Sequence, residues 1–366
     1  MRILYDHQIF SMQKYGGVSK YFCEIMRNIA PEDEYNLALI VSDNQYLKED
    51  YPYFKKKIIP FPEKPFKGKS LLKRKIYFLN KQYSKQAVSS NKYDLLHPTF
   101  YDDYFLDNLK KPYTITVHDL TMFKFKDIFY WKEANLPKME KIIKSATRVI
   151  SISQNTKKDL VEMLNINPDR IDVIHHGYNK PTGSNTINRF GKYILFVGSR
   201  ERYKNFITFI RAISSLLNKE SGLRLVCVGL RFNTDELTEL RKLNIMEYTS
   251  ILTVDEKMLN NLYSHAQVFV YPSLYEGFGM PILEAFANNC PLCLSNTSCF
   301  PEIAGEAGTY FDPYNSESIL EAVTKVLYDN DLKNQMIKAG NERLAHFSWK
   351  KAALETAASY KKTLQV

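Results

Sequence analysis

Long apolar runs are missing from this sequence of 366 residues. No stretch approaches the roughly 20 apolar residues that a membrane-spanning helix needs. The first residues, Met1–Asp6, lead into a strand-like segment without a signal-peptide pattern. We therefore expect a cytoplasmic protein. A hydrophobic content of 45% is enough for two domains with separate cores, which argues against disorder.

Cysteine is also scarce. The chain has five cysteines, an odd and scattered set that fits free thiols in a reducing compartment. Cys290 and Cys293, with Cys299 nearby, have the spacing of a zinc or redox pair, but no second Cys/His pair follows at ligand spacing. We expect these thiols to be small buried hydrophobes.

Two further motifs are absent. No Gly-x-Gly-x-x-Gly fingerprint occurs, which argues against a dinucleotide-dependent enzyme. No Asp-x-Asp triplet follows a strand, because Asp102 and Asp103 are adjacent rather than spaced. We therefore assign no metal.

Positive charge is in excess, and it is unevenly distributed. The net charge of +10 indicates an anionic partner, and the basic residues concentrate between Lys55 and Lys85, interleaved with aromatic and aliphatic residues. Such a helix, over residues 64–85, is able to lie on an anionic membrane surface. The alternative is a helix packed on its own domain with a solvated lysine face. Nucleic acid is disfavoured, since no binding motif accompanies the charge.

Strand-like and helix-like segments alternate along the whole chain. The pattern predicts buried parallel strands at residues 2–5, 35–41, 94–97, 113–117, 148–152 and 171–174, and again at 193–197, 223–228, 268–271 and 291–294. Alternating strands and helices imply parallel sheets covered on both faces, so the fold class is α/β with two doubly wound domains. A polar, turn-rich stretch at 180–189 is the predicted linker, and consecutive helices are expected from Ser316 to about Glu342 and from Trp349 to Lys362.

The most informative segment is a strand-loop-helix corner in the C-terminal third. The apolar run Val268–Tyr271 is followed by a loop containing Gly277 and Gly279, and Pro281 suits the first turn of the next helix. The two glycines allow the backbone to approach a ligand, and the amides at the helix start favour a diphosphate.

Two carboxylates flank this loop. Glu276 precedes the glycines and Glu284 is expected in the first helical turn, so both are able to accept hydrogen bonds from the hydroxyls of one ligand. The alternative is that both acids merely complement the helix dipole.

This corner resembles the Glu-x(7)-Glu motif of retaining glycosyltransferases of family 4. Three other segments are similar to that family: Val173–Asn179 to its interdomain segment, Phe196–Asn205 to its phosphate-binding loop, and Phe300–Gly305 to the stretch after the motif. The resemblance extends from Gly16 to Trp349, and its branch is the mannosyl- and rhamnosyltransferases of bacterial surface-polysaccharide synthesis.

The resemblance implies a GT-B fold of two Rossmann-like domains facing an interdomain cleft. Residues 1–180 would form the acceptor-binding domain, with the C-terminal helix 349–366 packing back on it, and residues 190–348 the donor-binding domain. It also implies retention of anomeric configuration by a front-face route without metal or cofactor, the nucleotide-diphosphate sugar being a substrate. GDP is the preferred nucleotide over UDP and dTDP.

The donor site that the resemblance implies has Lys204 on the diphosphate, Glu276 on the sugar and Glu284 on the ribose. Ser199 stands where the family often has arginine, and Arg200 and Arg202 are the candidates to replace it; the alternative for each is a surface charge. The other donor-binding candidates are Gly16, Gly17, Gly198, Gly277, Phe278, Gly279 and Met280.

His118 ends a predicted strand, where catalytic side chains usually lie in such folds. By resemblance it faces the transferred sugar, and with Glu276 and Lys204 it completes the catalytic candidates; the alternative is a histidine satisfied within a loop network. His97 and Asp119 are candidates for the acceptor side, and His175 and His176 are expected to be structural.

Three function classes fit these observations. The first is a hexosyltransferase acting on a saccharide or lipid-linked acceptor at the inner face of the membrane, in lipopolysaccharide or capsule synthesis. The second is a GT-B relative with other chemistry, a sugar-nucleotide epimerase or a phosphorylase. The third is a non-catalytic module that binds sugar nucleotides or polyanions.

Overall fold

The chain forms two compact units. The computed structural model describes residues 1–49, 58–62, 64–129, 135–179, 181 and 188–365. Unit 1 comprises Met1–Gly177 and Ser348–Val366, and unit 2 comprises Tyr178–Phe347. Lys55–Lys57 and most of the predicted linker at 180–189 lie outside the described residues.

Unit 1 contains parallel strands in two groups, ordered β2-β1-β5 and β6-β7-β8. A single parallel bridge from Leu96 to Tyr113 joins β5 to the second group. A separate parallel pair is formed by β3 and β4. The strands are β1 (Arg2–Tyr5), β2 (Glu34–Leu37), β3 (Val41–Ser42), β4 (Ile59–Pro60), β5 (Leu95–His97), β6 (Thr114–Val117), β7 (Arg148–Ser151) and β8 (Ile171–Val173).

The helices of unit 1 alternate with these strands along the chain. They are α1 (Gln8–Met12), α2 (Gly17–Arg27), α3 (Gln45–Glu49), α4 (Lys69–Ser89), α5 (Thr121–Lys124), α6 (Leu136–Ser145), α7 (Gln154–Leu164) and, from the end of the chain, α15 (Trp349–Leu364). Trp349, Ala352, Ala353 and Tyr360 of α15 lie in one core cluster with residues of β1 and α2. The Tyr360 hydroxyl is 2.8 Å from the Tyr5 hydroxyl, so the last helix is tied to the first strand.

Unit 2 contains one parallel sheet of strand order β11-β10-β9-β12-β13-β14. The strands are β9 (Lys192–Val197), β10 (Leu223–Val228), β11 (Thr249–Leu252), β12 (Val268–Tyr271), β13 (Leu292–Ser295) and β14 (Thr309–Phe311). The chain starts in the middle, winds outward through β11, returns to β12 beside β9 and winds the other way. This is the 3-2-1-4-5-6 order of a doubly wound sheet, in which the reversal lies between the first and fourth strands.

The helices of unit 2 connect these strands and continue to its end. They are α8 (Phe206–Lys219), α9 (Thr234–Lys242), α10 (Glu256–His265), α11 (Met280–Ala287), α12 (Phe300–Ala304), α13 (Ser316–Tyr328) and α14 (Asn330–Leu344). The first and last residues of the unit meet, because the Tyr178 amide donates to the Phe347 carbonyl at 3.3 Å. In unit 1, Gly177 lies against the backbone of Trp349 so closely that a side chain there would overlap it.

The predicted strand at 35–41 is wrong in its second half. β2 ends at Leu37, and the amides of Ile40 and Val41 donate instead to the Asn80 side-chain oxygen on α4, at 3.1 and 3.2 Å. The sequence pattern missed β11 and β14. Both lie at the edges of their sheet and are partly accessible, so neither carries a continuous apolar run.

Candidate active site

Unit 2 has a topological reversal where β9 and β12 lie side by side. The chain leaves their carboxyl ends in opposite directions across the sheet, and ligands of such folds bind at this point. Lys204 follows β9 in a short 3-10 turn, Arg202–Lys204, and Glu276 follows β12 in the loop before α11. Two segments distant in sequence therefore bring a cation and an acid together at the carboxyl end of the sheet.

Lys204 and Glu276 form an ion pair. The Lys204 ammonium donates to Glu276 Oε1 at 2.6 Å, and the two side chains are only 14% and 13% exposed. Burial by itself disfavours the charged ammonium, but the charge and hydrogen bond of Glu276 outweigh it and raise the pKa of Lys204. The lysine stays charged at this end of the sheet at any physiological pH.

Tyr271 and Ser298 fix Glu276 from two sides. Burial, together with the charge and hydrogen bond of Glu276, raises the pKa of Tyr271 well above its usual value. The Ser298 hydroxyl donates to the Glu276 carbonyl at 2.5 Å and accepts from its amide at 3.0 Å. Ser298 has φ of 58°, a left-handed conformation that is uncommon for serine and is often found at functional sites.

The loop after Glu276 turns sharply into α11. Gly279, at φ of 88°, is the N-cap residue of the helix, and Pro281 lies in its first turn as the sequence predicts. Met280 begins α11, so the backbone amides at this start face the end of the sheet. The Phe278 ring is buried against Phe347 at 5.8 Å between centroids, so only its backbone is available for a donor.

Glu284 lies in the second turn of α11 rather than in the first, where it was predicted. Its Oε2 accepts a hydrogen bond from the Tyr263 hydroxyl of α10 at 3.0 Å. No acidic side chain stands in the first turn and no side chain caps the helix. The helix-dipole alternative for both acids is therefore wrong, because one pairs with Lys204 and the other is beyond the reach of the helix start.

The two arginine candidates occupy different environments. The Arg200 guanidinium is 4% exposed and donates to Glu236 at 3.0 Å and to the carbonyls of Leu230 and Arg231 at 2.7 and 2.9 Å. Its surface-charge alternative is wrong, because it braces the start of α9, and one nitrogen, Nη1, has no partner within the described part of the chain. Arg202 is exposed at the start of the turn that contains Lys204.

In unit 1, His118 follows β6 as predicted. Its ring lies edge-on to Tyr21 at 5.1 Å and to His176 at 5.8 Å, and within the described ranges its Nε2 has no hydrogen-bond partner. Burial lowers the pKa of His118 to about 3, so the imidazole is neutral. A neutral imidazole is able to form hydrogen bonds but carries no positive charge with which to stabilise an anion.

His97 does not line an accessible surface, so its acceptor-side prediction is wrong. The side chain is fully buried, and its ring nitrogens are 2.6 Å from the Tyr360 hydroxyl and 3.0 Å from the Thr116 hydroxyl. Asp119 is partly accessible and accepts from the Thr121 amide at 2.8 Å at the start of α5.

Gly16 and Gly17 stand at the start of α2. Gly16 is the N-cap residue and Gly17 the first helical residue. The side-chain oxygen of Gln13 accepts from the Ser19 amide at 3.1 Å, so this first turn is partly satisfied by the protein itself.

Family models match both halves of the chain. Residues 15–180 match the model described as Glycosyltransferase Family 4, and residues 182–343 match the model described as Glycosyl transferases group 1. The chain belongs to the family 4 glycosyltransferases.

Individual relatives agree with that membership. The glycosyltransferase is 28% identical over 311 residues to O-antigen chain mannosyltransferase B of Escherichia coli, covering 76% of this chain and 81% of the relative. It is 29% identical over 216 residues to O-antigen chain mannosyltransferase RfbU of Salmonella typhimurium, covering 58% and 60%. Sucrose-phosphate synthase from Thermosynechococcus elongatus has the same fold, with a TM-score of 0.76 at 19% identity over 99% and 98% of the two chains. The predicted GT-B fold is confirmed.

Three residues of this glycosyltransferase that hold the acids were missed from the sequence. Tyr271 reads as the last residue of a buried strand, and Tyr263 as one more apolar position of a helix. Ser298 lies 22 residues after Glu276, with no motif linking them. Only the pairing of β12 with β13 brings the segment after β13 to the loop after β12.

The cysteines of the glycosyltransferase are buried and free. Burial raises the pKa of the Cys290 and Cys293 thiols, whereas metal binding and redox chemistry require thiolates. Within the described ranges, no group of three or more His, Cys, Asp or Glu residues is arranged to hold a metal ion. In the same ranges, no helix is both long and apolar enough to cross a membrane.

Proposed function

We propose that this glycosyltransferase moves a hexose from a nucleoside-diphosphate sugar to a saccharide or lipid-linked glycan acceptor. The observation that carries the proposal is the set of Lys204, Glu276 and the start of α11 at the reversal of the unit 2 sheet. At the carboxyl end of one sheet, a cation and backbone amides suit the diphosphate of such a donor, and a carboxylate suits its hydroxyls.

The leaving diphosphate develops negative charge in the transition state. In our proposal Lys204 and the amides from Gly277 to Met280 receive that charge, because an ammonium and a helix start both stabilise anions. Arg202, exposed at the start of the turn that contains Lys204, is the proposed second cation. Arg200 is the weaker candidate because three of its hydrogen bonds already go to Glu236 and two carbonyls.

The two glutamates are proposed to bind hydroxyl groups. Glu276 would accept from the hydroxyls of the donor sugar, and Glu284 from those of the ribose, with Tyr263 orienting the Glu284 carboxylate. His118 is proposed to hydrogen-bond the transferred sugar as a neutral imidazole. Gly16 and Gly17 are proposed to let the start of α2 approach the donor. Asp119 is proposed to bind the acceptor hydroxyl.

The proposed reaction retains anomeric configuration by a front-face step. The bond from the anomeric carbon to the phosphate oxygen breaks while the acceptor oxygen bonds to the same face of that carbon. The acceptor proton passes to the departing phosphate. Neither a metal nor a covalent enzyme intermediate is required, so Glu276 acts by positioning and electrostatics.

The proposed donor base is guanine, and mannose is the proposed sugar. Support comes from the two O-antigen mannosyltransferases among the relatives. UDP- and dTDP-sugars are the alternatives. Synthesis of a bacterial surface polysaccharide is the corresponding proposed process.

The test measures donor hydrolysis and transfer with GDP-mannose, UDP-glucose and dTDP-rhamnose, in buffer containing EDTA. We expect turnover of GDP-mannose that EDTA does not reduce, and loss of at least about 100-fold in Glu276→Gln, the scale for one electrostatic group. Glu239→Gln, which alters an exposed ion pair with Arg211 in the same unit, is the control and should keep full activity. Near-normal turnover in Glu276→Gln would contradict the electrostatic role, and no turnover of any donor would contradict the transferase.

We also propose that unit 1 docks on an anionic membrane surface through α4 and the residues before it. Residues 64–85 carry eight lysines and arginines and no acid. The face of α4 that turns inward is small and mostly polar, with Asn80, Ser84 and Val88 buried. The outward face exposes Leu71, Phe78 and Leu79 by 58, 61 and 47%.

The basic residues of α4 also fall into two groups, one paired with acids of unit 1 and one exposed to solvent. Lys73 and Lys81 pair with Asp43 and Asp102, both at 2.7 Å. In the described ranges, Arg74, Lys75 and Lys85 make no ion pair, and all three are exposed. Arg74 and Lys75 stand three or four residues from Leu71 and Phe78, the spacing of neighbours on a helix surface. Apolar groups next to unneutralised cations suit the boundary between anionic headgroups and acyl chains.

Sedimentation with vesicles tests this surface. We expect binding to phosphatidylglycerol vesicles that falls as salt rises, and little binding to phosphatidylcholine. Arg74→Glu with Lys75→Glu should abolish it, whereas Lys325→Glu with Lys338→Glu, the same charge change on exposed helices of unit 2, should not. An equal loss of vesicle binding in both double variants would show that only the net charge matters, which would contradict a docking face.

A further inference from the structure

Lys204 and Glu276 contact each other, although the proposed function assigns them to different parts of the donor. The contact is short, at 2.6 Å, and both side chains are largely buried. The ring of Tyr203 lies 5.1 Å and the ring of Tyr271 5.9 Å from the ammonium, so aromatic faces surround the pair. Water screens such a pair far less than it screens a surface ion pair.

The geometry limits where the carboxylate can move. The backbone of Glu276 is clamped at both its amide and its carbonyl by Ser298. The Leu274 amide donates to the Tyr203 carbonyl at 2.7 Å, which ties the loop of Glu276 to the turn of Lys204. The backbone at Glu276 is therefore held, and a change of position when a second anion approaches Lys204 falls to the Glu276 side chain, which would keep Tyr271 as a hydrogen-bond partner.

A diphosphate and the Glu276 carboxylate are like charges that need the same ammonium. Two anions within a few ångström of each other repel strongly where water is limited. Resting on the proposed function, we propose that Glu276 is an internal competitor of the diphosphate for Lys204. The pair opens when the donor binds, which releases the carboxylate to the sugar hydroxyls, and closes again as the nucleoside diphosphate leaves.

The proposal predicts opposite effects of one substitution on binding and on turnover. Glu276→Gln removes the competing anion and leaves Lys204 with an unneutralised charge, so nucleoside diphosphates should bind more tightly. Turnover should fall, because the carboxylate is missing from the sugar and the product leaves more slowly. A residue that only contacts the donor sugar would leave the affinity for a nucleoside diphosphate unchanged.

The experiment is calorimetric titration of the full-length protein with GDP, UDP and dTDP. For the diphosphate that wild type binds, we expect Glu276→Gln to lower the Kd about tenfold, equivalent to about 1.4 kcal/mol. In a Lys204→Gln background the same change should have no effect, because the competition acts through the lysine. Thermal unfolding without nucleotide confirms that each variant is folded.

Glu201→Gln is the matched control. Glu201 is exposed at the start of the same turn, and its charge acts on Lys204 without a side-chain contact. It should change the Kd less than twofold because solvent screens it. Glu276→Asp, which keeps the charge on a shorter side chain, should give an intermediate affinity and serves if Glu276→Gln fails to fold.

The outcomes separate this inference from the proposed function. Equal or weaker binding by Glu276→Gln and Glu276→Asp, with wild type binding normally, overturns the competition and leaves the transferase standing. Tighter diphosphate binding that persists in the Lys204→Gln background also overturns the competition. An equal gain in affinity in Glu201→Gln does so as well. Wild type that binds none of the three diphosphates overturns the proposed function, and the competition with it.

Discussion

At the scale of single residues, burial and partner charges together set the charge states of four side chains in this glycosyltransferase. Lys204 stays charged because a carboxylate contacts it, whereas His97 and His118 stay neutral because burial lowers the pKa of each to about 3. His176 is buried as well, and its pKa is also lowered. Burial alone would move all four toward neutrality, and the partner carboxylate reverses its effect at Lys204.

The buried histidines predict acid sensitivity. A histidine with a lowered folded-state pKa stabilises the fold above its unfolded pKa of about 6.5, and stability falls as pH drops below that value. His97 therefore contributes a loss of about 1.4 kcal/mol per pH unit between about pH 6 and its folded pKa of about 3. Urea unfolding at pH 7 and pH 5 should show a smaller difference for His97→Gln than for wild type.

His346, which is exposed, provides the control. His346→Gln should keep the wild-type difference between the two pH values. An unchanged difference in His97→Gln would mean that His97 is protonated in the folded protein, contrary to its buried hydrogen bonds with Tyr360 and Thr116.

The Tyr263 hydroxyl predicts a separate effect on donor binding. Tyr263→Phe removes the hydrogen bond that orients Glu284, at 3.0 Å, and leaves the ring in the core. We expect the KM for the donor to rise about 2- to 10-fold with kcat unchanged, the range for one hydrogen bond. Tyr193→Phe, whose hydroxyl donates to the Leu262 carbonyl rather than to Glu284, should leave KM unchanged.

At the scale of elements, the sequence was sufficient to predict the bounds of a strand where nearly all of its residues are buried. β12 carries an unbroken apolar run, β10 is interrupted only by the exposed Arg224, and both match their predicted bounds residue for residue. β11 and β14 have partly exposed positions at the sheet edges, and no local pattern distinguishes them from loops. The motif acids were found because they flank one loop, whereas Ser298 reaches Glu276 only through the pairing of separate strands.

Helix α4 shows how a polar residue can replace a strand partner. Asn80 is fully buried and bonds the amides of Ile40 and Val41 and the Val41 carbonyl, the last at 2.8 Å. Asn80→Leu should lower the free energy of unfolding by about 2–4 kcal/mol, because these backbone groups lose their partner in the core. Urea unfolding measures the loss.

Phe78→Ser, two residues earlier on the outward face of α4, is the comparison. It should change the unfolding free energy by less than about 0.5 kcal/mol, since Phe78 is exposed. Its effect should appear in vesicle binding instead. A large loss of stability in Phe78→Ser would show that the outward face packs against protein rather than solvent.

At the scale of the whole molecule, the last helix completes the first unit. Trp349, Ala352 and Tyr360 lie in the core cluster that contains β1 and α2, although more than 300 residues separate them in sequence. The predicted return of this helix came from the family resemblance. Periodicity alone identifies a helix over these residues but not the surface it covers.

A chain ending at Phe347 tests this dependence. Without α15, Tyr5 and His97 lose the Tyr360 hydroxyl, and the apolar core around β1 opens to water. We expect unit 1 to unfold at markedly lower temperature or to aggregate, while unit 2 keeps its cooperative transition and the proposed affinity for nucleotide. Hydrogen exchange resolved along the chain distinguishes the two units. Full protection of β1 in the shortened chain would contradict the role of α15.

Because the first and last residues of unit 2 are joined by a hydrogen bond, the chain enters and leaves that unit at one place. Its ends need no spacer, so the whole module can be cut out and another of the same architecture spliced in at two neighbouring junctions. Recombination between related genes would thus be able to exchange the proposed donor site as one piece while unit 1 stays unchanged.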